Sequence, residues 1–244
     1  MQHQSVRKLF QEQLKHYSST NTSAKNSPII SFFVKWTQKQ KINRPLKIGE
    51  FGGASGALLI QIKKMVTSPV KLYNIELIKS YQKYQVSKKI KFSQGSILHS
   101  QFPKNSFDCL IIRDVLHHLI GKSLKETLQN QEVALGELKR LLRPNGVLFI
   151  EELVNCSDLA ARMIYFLSKT NSQIGLRVQS LEISPSTIVC FLTPKRLQRI
   201  IQEIFGTESI VQKEFFVTEK RWQVKVAHLG VQSGKLILAI KKTA

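Results

Sequence analysis

The chain has 244 residues, enough for a full hydrophobic core, and this length fits one large α/β domain better than two small ones. It carries 37 Lys and Arg against 16 Asp and Glu, a net charge of +21, which means either attraction to polyanions such as nucleic acid or an anionic membrane, or no more than a solubilising surface. No uninterrupted apolar stretch approaches the ~20 residues of a membrane span, and the start, MQHQSVRKLF, lacks the apolar stretch of a signal peptide, so a cytoplasmic protein is expected.

Residues 1 to about 45 read as two helical stretches, Val6 to Tyr17 and Ile29 to Lys39, joined by a segment rich in Ser, Thr and Asn that ends at Pro28. A short apolar strand, Leu46 to Phe51, then runs into EFGGASG, residues 50 to 56. A helix follows from about Ser55 to Met65, with Leu58, Leu59 and Ile62 on its buried face. The glycines therefore sit on a strand-to-helix turn, where they accept positive φ and let a ligand approach the backbone and the amides of the helix start. Residues 70 to 76, VKLYNIE, form a second strand ending in Glu76, followed by Leu77. An acid at this place is where doubly wound folds bind ribose hydroxyls, which by itself does not separate a nucleoside sulfonium from NAD.

The third strand is Ile90 to Gln94, leading into Gly95-Ser96-Ile97. FDCLIIRDVLHHL, residues 107 to 119, reads as a buried fourth strand, Phe107 to Ile112, then a polar break and a short helix. A helix over 122 to 142, the turn Leu142-Arg143-Pro144-Asn145-Gly146 and a fifth strand, Val147 to Glu151, complete the alternation. Ser157 or Asp158 caps a further helix containing Leu159, Met163, Ile164, Phe166 and Leu167. The last part gives a helix beginning near Pro194 and two or three strands, among them Ser209 to Val217 and Lys235 to Lys241. Cys109, Cys156 and Cys190 are odd in number and far apart, so buried thiols are expected rather than disulfides or a metal site.

The acid-then-glycine pattern of Glu50, Gly52, Gly53 and Gly56 resembles motif I of the class I S-adenosylmethionine-dependent methyltransferases, acid-x-G-x-G-x-G, with Ala54 in place of the middle glycine. The FDCLIIRDVLHHL segment, the helix after it and the LRPNG turn are similar to the motif IV region of the ubiquinone and menaquinone biosynthesis type. The resemblance spans residues 46 to 152. It implies a Rossmann-like, doubly wound seven-stranded sheet, mostly parallel with an antiparallel C-terminal strand, plus N-terminal helices and a helical insertion after strand five. On this reading residues 1–45 form a lid that includes Tyr17, 46–155 the cofactor-binding core, 156–193 the acceptor pocket and 194–244 the terminal helix and strands.

The cofactor implied is S-adenosyl-L-methionine, and Glu50, Gly52, Gly53, Ala54, Gly56, Glu76, Leu77, Ser96, Ile97 and Arg113 are the residues placed to bind it. Ser96 stands where relatives have an Asp for the adenine amine, and its hydroxyl accepts a hydrogen bond with less charge assistance. Arg113 and Asp114 either line the methionine end or pair with each other. Methyl transfer from a sulfonium is an in-line displacement that needs positioning and exclusion of water, and a base when the acceptor is oxygen or nitrogen. Candidate bases are His117 and His118, past strand four, and Glu151 or Glu152, past strand five.

The function favoured is methyl transfer to a small or lipid-like molecule. The alternatives are an RNA or protein methyltransferase using the basic surface, and a cofactor-binding protein without catalysis or a nicotinamide oxidoreductase, against the last of which Glu50 and the terminal strands argue. Residues 113 to 116, Arg-Asp-Val-Leu, lack the Asn/Asp-Pro-Pro-Tyr motif of amino-directed nucleic-acid enzymes, and Cys109 lacks the Pro-Cys context of a cytosine-C5 nucleophile.

Overall fold

The computed structural model describes residues 27–38, 44–177, 184–217, 226 and 228–243. Seven strands carry the fold: β1 Leu46–Phe51, β2 Val70–Glu76, β3 Ile90–Gln94, β4 Phe107–Arg113, β5 Leu142–Asn155, β6 Ile210–Val217 and β7 Ser233–Lys241. They form one sheet in the order β3-β2-β1-β4-β5-β7-β6. Neighbours from β3 to β5 are parallel, while β7 runs antiparallel to both β5 and β6. The expected doubly wound sheet with an antiparallel C-terminal strand is what the chain forms.

Helices cover both faces, as apolar parallel strands require. On one face α1 (Ile29–Gln38) and α2 (Ala57–Met65) bring Ile29, Phe32, Phe33, Leu58, Leu59 and Ile62 onto Ile48, Leu72, Ile111 and Phe149. On the other, α3 (Leu124–Leu141) and α5 (Pro194–Phe205) bring Leu135, Leu138, Leu197, Ile201 and Phe205 onto Leu110, Ile112, Leu148 and Leu238. Ser123 and Thr193 cap α3 and α5, each accepting a hydrogen bond from the amide three residues on, and Pro194 occupies the first turn of α5, where its missing N–H costs nothing. Because strand order reverses between β1 and β4, their carboxyl ends flank a crevice, and this topological switch point positions the site.

Three expectations need correction. Strand five is longer than Val147 to Glu151: it runs Leu142–Asn155 and is paired with β7 as far as Asn155 opposite Ser233, so Glu151 and Glu152 lie within the strand and not past it. The LRPNG turn survives as an irregularity inside that strand, where Leu142 pairs with Phe107, Val147 pairs with Cys109 and Asn145 takes a φ of 63°. The helix after strand five, α4 (Asp158–Ile174), is capped by Ser157 as expected but buries Ala160, Ala161, Ile164 and Tyr165. Leu159, Met163, Phe166 and Leu167 face solvent instead, so of the apolar residues assigned to that helix only Ile164 reaches the interior. The stretch Val6 to Tyr17 lies outside the described residues.

At the opposite, amino edge of the sheet, Asp108 on β4 ties the parallel strands together. Its buried carboxylate accepts from Arg44 and from Arg143 (2.9 Å), and also from the Lys47 amide at the start of β1 (2.8 Å). Burial alone would raise its pKa, but Arg44, the Lys47 amide and Arg143 outweigh it and hold the carboxyl below its ordinary value. Its contribution to stability is therefore in place above the ordinary carboxylate range and is lost as pH falls through the depressed value. Asp108→Ala should cost roughly 2–4 kcal/mol in urea unfolding at neutral pH, because it leaves two guanidinium groups and an amide without their acceptor. The loss should shrink in acid; a difference that stayed constant with pH would contradict it.

Candidate active site

The turn after β1 shows how the glycines are used. Gly52 (φ 71°) and Gly56 (φ 72°) occupy the left-handed region, and Gly56 forms the N-cap of α2. Ala54 also sits there, at φ 49°, a conformation that strains an L residue by roughly 1–2 kcal/mol and that the missing middle glycine would relieve. Gly53 does not have positive φ. It is glycine because a Cβ would lie 2.6 Å from Glu50 Oε2 and 2.7 Å from Asn74 Oδ1.

Those two oxygens are the most telling atoms of the site. Glu50, at the end of β1, is 1% exposed, and its Oε1 accepts from Arg113 Nε at 3.3 Å. Its Oε2 is buried without a partner, as is Asn74 Oδ1 on β2, whose amide nitrogen donates to the Ala54 carbonyl at 2.8 Å. Burial raises the Glu50 pKa against the pull of Arg113. Glu76, at the end of β2, accepts from the Ala54 amide; burial pushes its pKa up to about 8, opposed by that amide and reinforced by the nearby Glu50. Two acids and a buried amide oxygen thus converge on the backbone of residues 53 and 54.

Of the other residues expected here, Ile97 packs into the core with Phe51, Ile75 and Leu116, and Leu77 is half-buried beside Glu76. The Ser96 hydroxyl is turned onto its own loop, accepting from the Leu98 amide at 3.2 Å. Arg113 and Asp114 do not pair with each other: Arg113 joins Glu50, whereas Asp114, at φ 52°, accepts from Lys235 Nζ at 2.9 Å.

A second set of groups lies at the ends of β4 and β5. Glu152 accepts from His117 Nδ1 through one oxygen and from the Val115 and Leu116 amides, at 3.2 and 2.9 Å, through the other. Burial would lower the His117 pKa, but Glu152 overrides it and holds the imidazole above its ordinary value. His118, whose ring centroid is 4.1 Å from that of His117, is pushed well below by burial and by its neighbour, so the paired histidines carry opposite tendencies. Beyond His117 the rings of Phe191 and His228 follow at centroid distances of 5.3 and 4.9 Å. Glu151 belongs to a different network: it accepts from Lys235 Nζ at 2.6 Å and from the Ser27 hydroxyl at 2.7 Å, which ties the segment before α1 to the sheet.

Asp114, His117 and Glu152 bring ligand atoms within 4.8 Å of one another, a spacing open to a metal ion. Both Glu152 oxygens are already used by His117 and two amides, and Lys235 takes Asp114 Oδ2, while Asp114 Oδ1 is buried without a partner. Asn74, Phe191, His228 and Lys235 were not foreseen. For Asn74 there was a signal, a polar residue inside the apolar strand VKLYNIE.

Residues 50–150 match the family described as a methyltransferase domain. That match runs from the end of β1 into β5, so the part of the chain that resembles a methyltransferase domain is the core of the sheet. Among solved structures, an S-adenosylmethionine-dependent methyltransferase from Methanosarcina mazei is 14% identical with a TM-score of 0.60, covering 89% of this chain and 98% of its own. The YcgJ protein from Bacillus subtilis is 14% identical with a TM-score of 0.58, covering 88% and 97%. The [4+2]-cyclase SpnF is 12% identical with a TM-score of 0.56, covering 88% and 81%. No curated protein sequence matches. These likenesses establish the methyltransferase fold, and the site's own chemistry has to supply the rest.

Glu76 gives that chemistry a measurable consequence. A ribose hydroxyl donates only to the ionised carboxylate without competing for its proton, so a nucleoside ligand should lower the raised Glu76 pKa and release a proton at pH 7. Affinity should therefore rise as pH approaches about 8. Calorimetry of an adenosine-containing ligand in buffers of different ionisation enthalpy should show this release, and Glu76→Gln should abolish it; binding without proton exchange would remove Glu76 from the ribose contact.

Proposed function

We propose that the methyltransferase domain binds S-adenosyl-L-methionine and transfers its methyl group to a small or lipid-like acceptor. The observation that carries the cofactor is the pair of buried, unpartnered acceptor oxygens of Glu50 and Asn74 facing the Gly53 backbone. Such atoms want donors or a cation. The cofactor carries an ammonium and a sulfonium, whereas the pyrophosphate of a dinucleotide at the same turn is acceptor-only and would give these buried oxygens no donor. Arg113, held against Glu50, has further N–H donors to offer a carboxylate.

When bound, S-adenosylmethionine supplies an already activated methyl group. The chain's contribution is to position the acceptor, exclude water and take a proton. His117 is the base this geometry favours: Glu152 accepts at Nδ1 and fixes the ring, leaving Nε2 to receive the acceptor's proton. Glu152 plays an orienting role, held in turn by two backbone amides. His118 is less suited to the role, because burial and the neighbouring His117 push its pKa well below the ordinary histidine value.

The apolar and aromatic surroundings of His117, with Phe191 beside it and Ile120, Tyr165 and Cys190 clustered close by, favour an apolar acceptor. An RNA acceptor is the second reading, supported by the +21 charge. Incubation of the purified chain with methyl-labelled S-adenosylmethionine and separated cell fractions should place label in the lipid-soluble fraction; label confined to RNA would reverse the preference.

The pH profile tests His117. Since Glu152 raises its pKa, kcat should climb with pH along a limb centred above the ordinary histidine value. Glu152→Gln should shift that limb to lower pH, and His117→Ala should reduce kcat by about a hundredfold at its plateau. An unchanged limb in Glu152→Gln would show that another group is titrating.

A further inference from the structure

We propose that the outward face of α4 docks the protein on an anionic lipid bilayer. Helix α4 has two apolar stripes. One, Ala160, Ala161, Ile164 and Tyr165, packs inward. The other consists of Leu159 (70% exposed), Met163, Phe166, Leu167 and Ile174 (73% exposed), with Leu176 just beyond the helix. At roughly 100° per residue these five fall within an arc of about 100°, a continuous ridge and not scattered exposure. A ridge of this size with nothing over it among the described residues is unusual for a surface helix and marks an interaction site.

Charge chooses the occupant. Arg162 and Lys169 border the ridge on the helix itself, and Arg177 follows it. Lys169 Nζ donates to the Lys122 carbonyl, which places the turn carrying Lys122 and Lys125 alongside, while the acids nearby are Asp158 and Glu126. Large apolar side chains flanked by bases, on a chain of net charge +21, are the composition of a helix that lies in the interface plane of an anionic membrane. A second copy of the chain would bring like-charged surfaces together and is disfavoured by the same charge. No helix among the described residues is long and apolar enough to span a membrane, so the contact is peripheral.

The placement also fits the site. The inward stripe of α4 contributes Tyr165 to a cluster with Ile120 and Cys190, and the Cys190 amide donates to the His117 carbonyl at 2.9 Å. A bilayer against α4 would put a lipid-soluble acceptor one helix thickness from His117. This last step rests on the proposed acceptor class; the docking itself does not, because it is measured without any transfer.

The experiment uses the full chain with vesicles of phosphatidylcholine alone or with about one third phosphatidylglycerol, sedimented at ~0.15 M salt. Binding is expected to the anionic vesicles and not to the neutral ones. Phe166→Ser combined with Leu167→Ser should weaken it at least about tenfold, since both side chains would leave the apolar phase, whereas Val133→Ser on α3 should leave it unchanged. Equal melting temperatures would show that these exposed positions do not affect folding. Absence of vesicle binding, binding unaffected by the double substitution, or a dimer in sedimentation velocity that the double substitution dissolves would overturn the proposal.

Discussion

Burying carboxylates at the carboxyl edge of a parallel sheet is the constraint on which the rest of this structure turns. Glu50, Glu76, Glu151 and Glu152 are all buried there, with Asp114 beside them, in a chain that has far more bases than acids. Each would cost several kcal/mol alone. Four segments supply the partners: Arg113 for Glu50, the Ala54 amide for Glu76, Lys235 for both Asp114 and Glu151, His117 and two amides for Glu152. The partners come from β4, the glycine turn, β7 and the short turn after β4, so satisfying the acids also fixes the relative positions of these elements. Among these groups Glu50 Oε2, Asn74 Oδ1 and Asp114 Oδ1 remain buried without a partner, and the first two face the Gly53 backbone, where a ligand would complete the arrangement.

Much of this was legible from residue order. β1, β2 and β3 have the bounds that their apolar residues and flanking turns suggest, although only β1 is buried along nearly its whole length and β3 is an edge strand. Glu151-Glu152 looks like a polar end to strand five, yet the residues beyond it are held in the ladder by β7, about eighty positions away, and no local pattern reports such a partner. Periodicity failed on α4 for a related reason. A helix with two apolar stripes gives no internal sign of which one is covered, and small Ala160 and Ala161, which allow close packing, won over the larger side chains.

The site was legible in part. Glu50, Glu76 and the glycine turn lie together as the order of strands and turns requires, yet Gly53 is glycine to make room for two oxygens and not for its φ. His117 and Glu152 each stood out separately, but their pairing depends on the β4–β5 register. Ser96 carries the opposite lesson: it stands where the resembled family has an acid, and its hydroxyl is turned onto a local turn. A shared fold also extends to a protein named as a cyclase, which is why the argument for methyl transfer rests on charge and hydrogen bonding at one sheet edge.

The central claim is that this edge accepts a cationic nucleoside and repels a dinucleotide. Isothermal calorimetry of the full chain against S-adenosylmethionine, its demethylated product and NAD tests it directly. Saturable binding of the first two, with no heat from NAD, is the predicted result; binding of NAD, or of none of the three, would contradict the account.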